Sequence, residues 1–206
     1  MNERFLWVTR ETRLHHKGTF FPDSYTIHNT GNDAPAINER NNLQNNEGTT
    51  SFHSVVDEKE VIRCINFDTG ANHAGNYTGN MTSLSLEICS GALQKHFKQT
   101  WKNAVEVVAK DLTSLGWGVD RLRQHNHWSG KNCPHYIREH GLWDNFKEDV
   151  KERMKEMTEE KKQKTDFEEA RKWVMENRIS DGSRPKDPVT REELWAMLYR
   201  LEKRKG

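Results

Sequence analysis

Up to residue 90 the chain runs in short stretches where apolar and polar positions alternate, each bounded by Asn, Gly, Thr or Asp. They are SYTIHNT from Ser24, SFHSVVD from Ser51, VIRCINF from Val61 and SLSLEIC from Ser83. Period-two alternation between turn-forming residues predicts β-strands, and the four together predict one sheet. The period then changes. From about Leu93 to Leu115, Val105, Val108, Ala109 and Leu112 recur at steps of three and four, predicting an amphipathic helix that Gly116 and Gly118 end. A polar loop rich in aromatic residues and histidine follows, and from about Tyr136 to Lys164 the pattern reads as helix again.

The end of that helical region, KEDVKERMKEMTEEKKQK, carries seven basic and six acidic residues, so it reads as a solvated helical linker and not as a binding patch. Beyond it lie two further helical stretches, FEEARKWVMEN and TREELWAMLYRLEKR, on either side of a loop rich in Gly, Ser, Pro and Asp. Thr190 with Glu193 three positions on predicts a capping box at the start of the second. The predicted organisation is a catalytic domain over 1–155, a charged helical linker over 156–165 and a small helix-loop-helix module over 166–206, too small to hold a large core of its own.

Composition narrows the function classes. With 32 Lys+Arg against 31 Asp+Glu the net charge is +1, so no global field gathers nucleic acid or anionic lipid, and neither is expected as a partner. Mean hydropathy is −1.02, and no apolar stretch approaches the roughly 18 to 20 residues of a membrane helix. The N-terminal MNERFLWVTRETR lacks the apolar core of a secretory signal, which predicts synthesis in the cytoplasm. Three cysteines, Cys64, Cys89 and Cys133, are too few for a disulfide framework.

The segment RLRQHNHWSGKNCPHYI, residues 121–137, is the most informative. His125 and Cys133 lie eight positions apart across a Gly-containing turn, and imidazole with thiolate suits zinc. A catalytic zinc needs three protein ligands so that water can take the fourth position. His28, at the end of the predicted strand in SYTIHNTGN, is the best candidate for the third.

HNT near the start, then SLEI, then HxxWSGKxCP resembles the zinc amidase family shared by phage endolysins, bacterial autolysins and peptidoglycan recognition proteins. The likeness covers about residues 20 to 145 in consistent order. It implies an α/β fold, a mixed central sheet flanked by helices with the metal in a groove on one face. It also implies one Zn2+ held by His28, His125 and Cys133.

Glu87 is singled out by pattern too. In SLSLEIC, Leu84, Leu86 and Ile88 fall on one face and Ser83, Ser85 and Glu87 on the other, so the carboxylate points away from the apolar layer. A carboxylate beside a metal-activated water can take its proton, and the Bacillus-type members imply Glu87 as general base. Lys131 lies where the family places a cation, suited to the tetrahedral oxyanion. Some members carry a catalytic Tyr where this chain has Phe52, which shifts the weight onto Glu87. His73, in the family-like loop NHAGN, and Trp128, inside the zinc motif, are expected to touch substrate. His53, His127, His135 and His140 are expected in supporting or surface roles, and Cys64 and Cys89 as small apolar residues. Trp101, Trp117 and Trp143 read as packing residues.

The segment DPVTREELWAMLYR resembles part of an S-layer-homology repeat, a family that holds proteins on Gram-positive wall polymers. The resemblance implies wall binding with Arg191 and Trp195 in contact. Because only one repeat is present, it also implies a homo-oligomer through this module.

The function these features predict is zinc-dependent hydrolysis of the amide between N-acetylmuramic acid and L-alanine in peptidoglycan. This is the work of an endolysin of Bacillus type, made in the host cytoplasm and acting on the wall after release. Two rivals share part of the pattern: a peptidoglycan-binding protein without catalysis, and a zinc hydrolase of a soluble amide.

Overall fold

The computed structural model describes residues 1–9, 20–45 and 47–204. The described chain divides into two compact units, Met1–Met154 and Lys155–Gly206.

The first unit is built on a six-stranded sheet in the order β1-β4-β3-β5-β2-β6. The strands are β1 (Asn2–Phe5), β2 (Ser24–Asn29), β3 (Ser54–Val56), β4 (Glu60–Arg63), β5 (Ser83–Ile88) and β6 (Leu122–Gln124). Only β3 and β4 pair antiparallel; every other neighbour is parallel. This is the mixed sheet flanked by helices that the family resemblance implied. The edge strands β1 and β6 were not foreseen: Asn2–Phe5 is mostly exposed and has no apolar face to read, and β6 is only three residues long.

Helices α1 (Ala36–Asn45) and α4 (Phe97–Leu115) cover opposite faces of the sheet. On one side Ala36 and Leu43 pack with Val55, Ile62 and Cys64. On the other, the buried stripe of α4, including Val105, Val108, Ala109 and Leu112, meets the side to which Tyr25 and Arg63 point. Arg63 is bidentate to Asp111 of α4 at 2.7 and 2.8 Å, and the Tyr25 hydroxyl donates to the same carboxylate at 2.7 Å. A buried carboxylate is tolerable there because each of its oxygens is paired.

The helix expected from Leu93 is two helices. Ser90–Lys95 forms α3, and at His96 the backbone leaves helical space (φ −134°, ψ 44°) before α4 begins. Gly116 ends α4 in the left-handed region (φ 69°), and Trp117 N–H closes onto Leu112 O at 2.9 Å, a Schellman-type cap that requires glycine. Between the strands stands α2 (Tyr77–Thr82), N-capped by Asn76. Two short helices, α5 (His125–Ser129) and α6 (His135–Glu139), flank the loop of the zinc-like motif.

Helix α7 runs from Trp143 to Glu176. The expected linker is therefore part of one continuous helix, and its many charges solvate that helix. Within the first unit Phe146 and Val150 are buried, and Trp101 packs edge-on against Phe146 with its indole N–H on Asp149 at 2.6 Å.

In the second unit the residues after α7 turn back to α8 (Arg191–Lys203), whose first turn carries the capping box between Thr190 and Glu193. Ile179 is its one buried large apolar residue among those described. Polar contacts hold the loop: Arg171 to Gly182 O at 2.8 Å, Arg200 to Ile179 O at 2.8 Å and Arg184 to Glu193 at 2.8 Å. Leu194, Trp195, Leu198 and Tyr199 of α8 are exposed. No described helix is long and apolar enough to cross a membrane.

Candidate metal centre

Strands β2 and β5 run parallel with His28 opposite Glu87. Alternation along both strands puts Thr26, His28, Ser83, Ser85 and Glu87 on one face, so the sheet presents a polar row where its neighbours are apolar. Thr26 and Ser83 hydrogen-bond across the pair at 2.6 Å, which lets this row be buried.

The third strand-edge contribution comes from the loop between α5 and α6. Asn126 N–H donates to Cys133 O at 2.9 Å, and its side chain donates to the carbonyls of Gly130 and Lys131 at 2.9 and 3.0 Å. Gly130 takes a left-handed conformation (φ 74°) that makes the reversal. Asn29, one residue after His28, accepts from Tyr136 N–H at 3.0 Å and so ties the end of β2 to the start of α6. The two asparagines hold Cys133 against the end of β2.

The result is a buried group of His28, His125 and Cys133 whose ligand atoms all lie within 4.8 Å of one another. Among the described residues this is the group of such side chains that could hold a metal ion. Cys133 Sγ lies 3.7 Å from His28 Nδ1. Two such ligands on a tetrahedral zinc, with bonds of ~2.0 and ~2.3 Å, would sit roughly 3.5 Å apart. Nδ1 of His125 is buried and has no hydrogen-bond partner among the described residues, and the same is true of Glu87 Oε2. Bare buried polar atoms are rare and ask for a partner. A nitrogen-nitrogen-sulfur donor set with one orphaned nitrogen fits a zinc-type cation.

The electrostatics fit as well. Burial, and after it the cost of placing a positive charge beside the His73, His125 and His53 rings and Lys131, holds His28 well below the usual imidazole range. His125 is lowered by burial and by Lys131, against a hydrogen bond to the Ala74 carbonyl that opposes the shift. Both rings are therefore neutral, the form that ligates. The Cys133 thiol is pushed up to about 11, first by burial and then by Glu87, so a cation must displace its proton to bind.

Glu87 Oε1 stands 3.8 Å from His28 Nδ1. Its carboxyl is raised to about 8, first by burial and then by Glu39, with Lys131 opposing. The group lines a cavity of about 180 Å³ together with Glu39, Phe52 and Lys131. Lys131 is exposed at the rim, while Phe52 is buried and offers no hydroxyl. Glu39, 8% exposed, has one carboxylate oxygen without a partner among the described residues. Periodicity could not have marked it, because α1 carries only a weak apolar face.

The two residues expected to touch substrate are each hydrogen-bonded within the protein, and His73 also lines the cavity. His73 is 4% exposed, with Nδ1 3.1 Å from His28 Nε2 and Nε2 2.9 Å from Ser83 O, so both ring nitrogens are engaged inside the protein. Trp128 donates its indole N–H to Thr26 Oγ1 at 2.8 Å and packs on Gly79, where a Cβ would collide with the ring. It is not among the residues lining the cavity. His53 hydrogen-bonds Ser85 and the Thr69 carbonyl, whereas His127 and His140 are exposed. Cys64 and Cys89 are buried free thiols. Arg191 and Trp195, in the other unit, are both exposed, Trp195 to 61%.

A family model described as N-acetylmuramoyl-L-alanine amidase matches residues 18–136. The N-acetylmuramoyl-L-alanine amidase CwlA of Bacillus subtilis is 44% identical over 138 residues, which are 64% of this chain and 50% of that protein. The B. subtilis amidase XlyB is 44% identical over 126 residues, 59% of this chain and 40% of its own length. The chain thus spans about half the length of the curated relatives it matches. Among solved structures, PlyL superposes with a TM-score of 0.68 at 36% identity, covering 73% of this chain and 98% of PlyL. The catalytic domain of XlyA superposes at 0.67 with 27% identity, covering 73% of this chain and 99% of that domain.

Proposed function

We propose that this chain, which belongs to the N-acetylmuramoyl-L-alanine amidase family, is a zinc-dependent hydrolase of the amide between N-acetylmuramic acid and L-alanine in peptidoglycan. The observation that carries the reading is the group of His28, His125 and Cys133 with Glu87 3.8 Å from His28. One zinc ion is its cofactor, held by those three side chains. When bound, zinc supplies Lewis-acid polarisation of the scissile carbonyl and lets water attack near neutral pH.

The chain's own residues do the rest. Glu87 accepts the proton of the attacking water and returns it to the leaving amine as the carbon–nitrogen bond breaks. Lys131, at the cavity rim, offsets the negative charge that develops on the carbonyl oxygen. Phe52 adds an apolar wall that keeps bulk water from the reacting centre.

The second unit, Lys155–Gly206, is proposed as a wall-targeting module that binds a secondary wall polymer through Arg191 and Trp195 and self-associates. The exposed apolar stripe Leu194, Trp195, Leu198 and Tyr199 supports a surface that meets something other than water. In this reading the protein acts as an endolysin, reaching the wall after release from the cell that makes it.

Product analysis on purified Gram-positive peptidoglycan tests the reaction. New L-alanine amino termini without new reducing sugars, from zinc-loaded protein and not from Cys133→Ser, are expected. Bound zinc with no wall cleavage would instead favour the binding-protein or soluble-amide reading.

A further inference from the structure

We infer that His73 is a positioning residue that, with the backbone carbonyl of Ser83, fixes the tautomer of His28 and aims its Nδ1 lone pair at the metal. The inference rests on the zinc reading above and assigns a role to a histidine that the mechanism does not use.

One hydrogen-bond acceptor beside His73, the Ser83 carbonyl, has no choice of role. A peptide carbonyl can only accept, so the His73 nitrogen 2.9 Å from Ser83 O, Nε2, carries the proton. His73 is 4% exposed among other histidine rings, and no carboxylate among the described residues pairs with it, so nothing there would balance a positive charge and the ring is neutral. Its Nδ1 is then bare and must accept. The partner of that atom, 3.1 Å away, is His28 Nε2, which therefore donates. A neutral His28 with its proton on Nε2 has a free lone pair on Nδ1, the atom 3.7 Å from Cys133 Sγ.

The alternative tautomer has a partner waiting for it. With the proton on Nδ1, His28 would point an N–H towards Glu87 Oε1, 3.8 Å away, and would be closed to a cation. It would also leave two lone pairs facing each other between His28 and His73. The relay thus decides between a ligand and a hydrogen-bonded histidine–carboxylate pair. Because the relay ends on a carbonyl and not a carboxylate, it has no proton of its own to lose, and the choice does not drift. Strand β5 supplies both ends of the arrangement, Ser83 at its start and Glu87 on the same face.

Zinc affinity measured by chelator competition in wild type, His73→Phe and His73→Gln tests this. Phe keeps the ring and removes both hydrogen bonds, and it is expected to weaken zinc binding roughly 10- to 100-fold, the usual cost of losing a ligand's supporting partner. Gln can accept from His28 and donate to Ser83 O, and it is expected to recover most of the loss, which a mere packing role would not predict. Wild-type affinity in His73→Phe would overturn the inference. Long-range proton–nitrogen NMR on metal-free wild type is decisive without any variant. His28 and His73 both protonated on Nε2 are expected; either ring protonated on Nδ1 would overturn it. Wild type that binds no zinc would sink the metal reading instead, and the NMR result would still stand or fall by itself.

Discussion

His28 and Glu87 occupy directly paired positions of the parallel strands β2 and β5, which brings the imidazole Nδ1 within 3.8 Å of the carboxylate. A candidate ligand and a candidate base thus share one sheet face through backbone pairing alone. A register slip by one residue would send either side chain to the opposite face.

Replacing that carboxylate by an amide of the same shape is expected to leave the metal and remove the proton acceptor. Glu87→Gln should bind zinc at wild-type stoichiometry and release L-alanine amino termini about 100- to 10,000-fold more slowly, the usual worth of a general base. Metal analysis and a product time course check it, and full turnover would remove Glu87 from the mechanism.

Cys133→Ser exchanges a thiolate for a poor ligand and should lose zinc and activity together while circular dichroism stays native-like. In the wild type, chelation should lower the melting temperature reversibly. A ligand that binds only the native state stabilises it by about 4 kcal/mol at a thousandfold excess over Kd. Scanning calorimetry with and without chelator checks both statements.

The metal-free protein should also show a stability slope that belongs to Glu87. Its carboxyl is raised from the ordinary 4.5 to about 8 when folded. The native state then holds a proton that the unfolded state has released, so Glu87's own contribution is fully present below pH 4.5 and is lost as pH rises towards 8, while the buried neutral His28, His73 and His125 contribute the opposite slope below the ordinary imidazole range. Urea denaturation across that window should show wild-type stability falling relative to Glu87→Gln as pH rises, the histidine contribution being common to both.

Asp111 lies in the buried ion pair with Arg63 on the α4 side of the sheet. Asp111→Ala would leave the guanidinium buried, with Glu3 as its remaining carboxylate partner, and should cost about 3 to 5 kcal/mol. The loss would appear in denaturant midpoints, with zinc stoichiometry unchanged because the metal ligands lie on the other face.

For the second unit, Arg191→Ala with Trp195→Ala should reduce co-sedimentation with intact walls while leaving hydrolysis of soluble wall fragments unaltered. Unchanged sedimentation would remove wall targeting from those residues.

Much of the first unit was legible because its strands announce themselves by alternation. β2 and β5 carry clear period-two patterns, and α4 carries its apolar stripe at helical spacing. β1 was invisible, since a polar edge strand takes its conformation from pairing with β4 and not from its own residues. The break at His96 was equally hidden, because nothing in that stretch is a helix breaker. The charged run after Tyr136 correctly read as helix, but its charges gave no sign that α7 would continue unbroken to Glu176.

The sequence alone determined which residue types could carry the chemistry: two histidines, a cysteine, a strand glutamate and a lysine, each marked by local motif or alternation. Only the tertiary structure decided which groups His73 and Trp128 hydrogen-bond. Their motif places them near the site, but burial and hydrogen-bond partners are non-local. Ser83 and Thr26, far along the chain, turn both side chains inward. The same holds for Asn29, Asn126 and Glu39, whose roles arise from contacts between segments that no local pattern encodes.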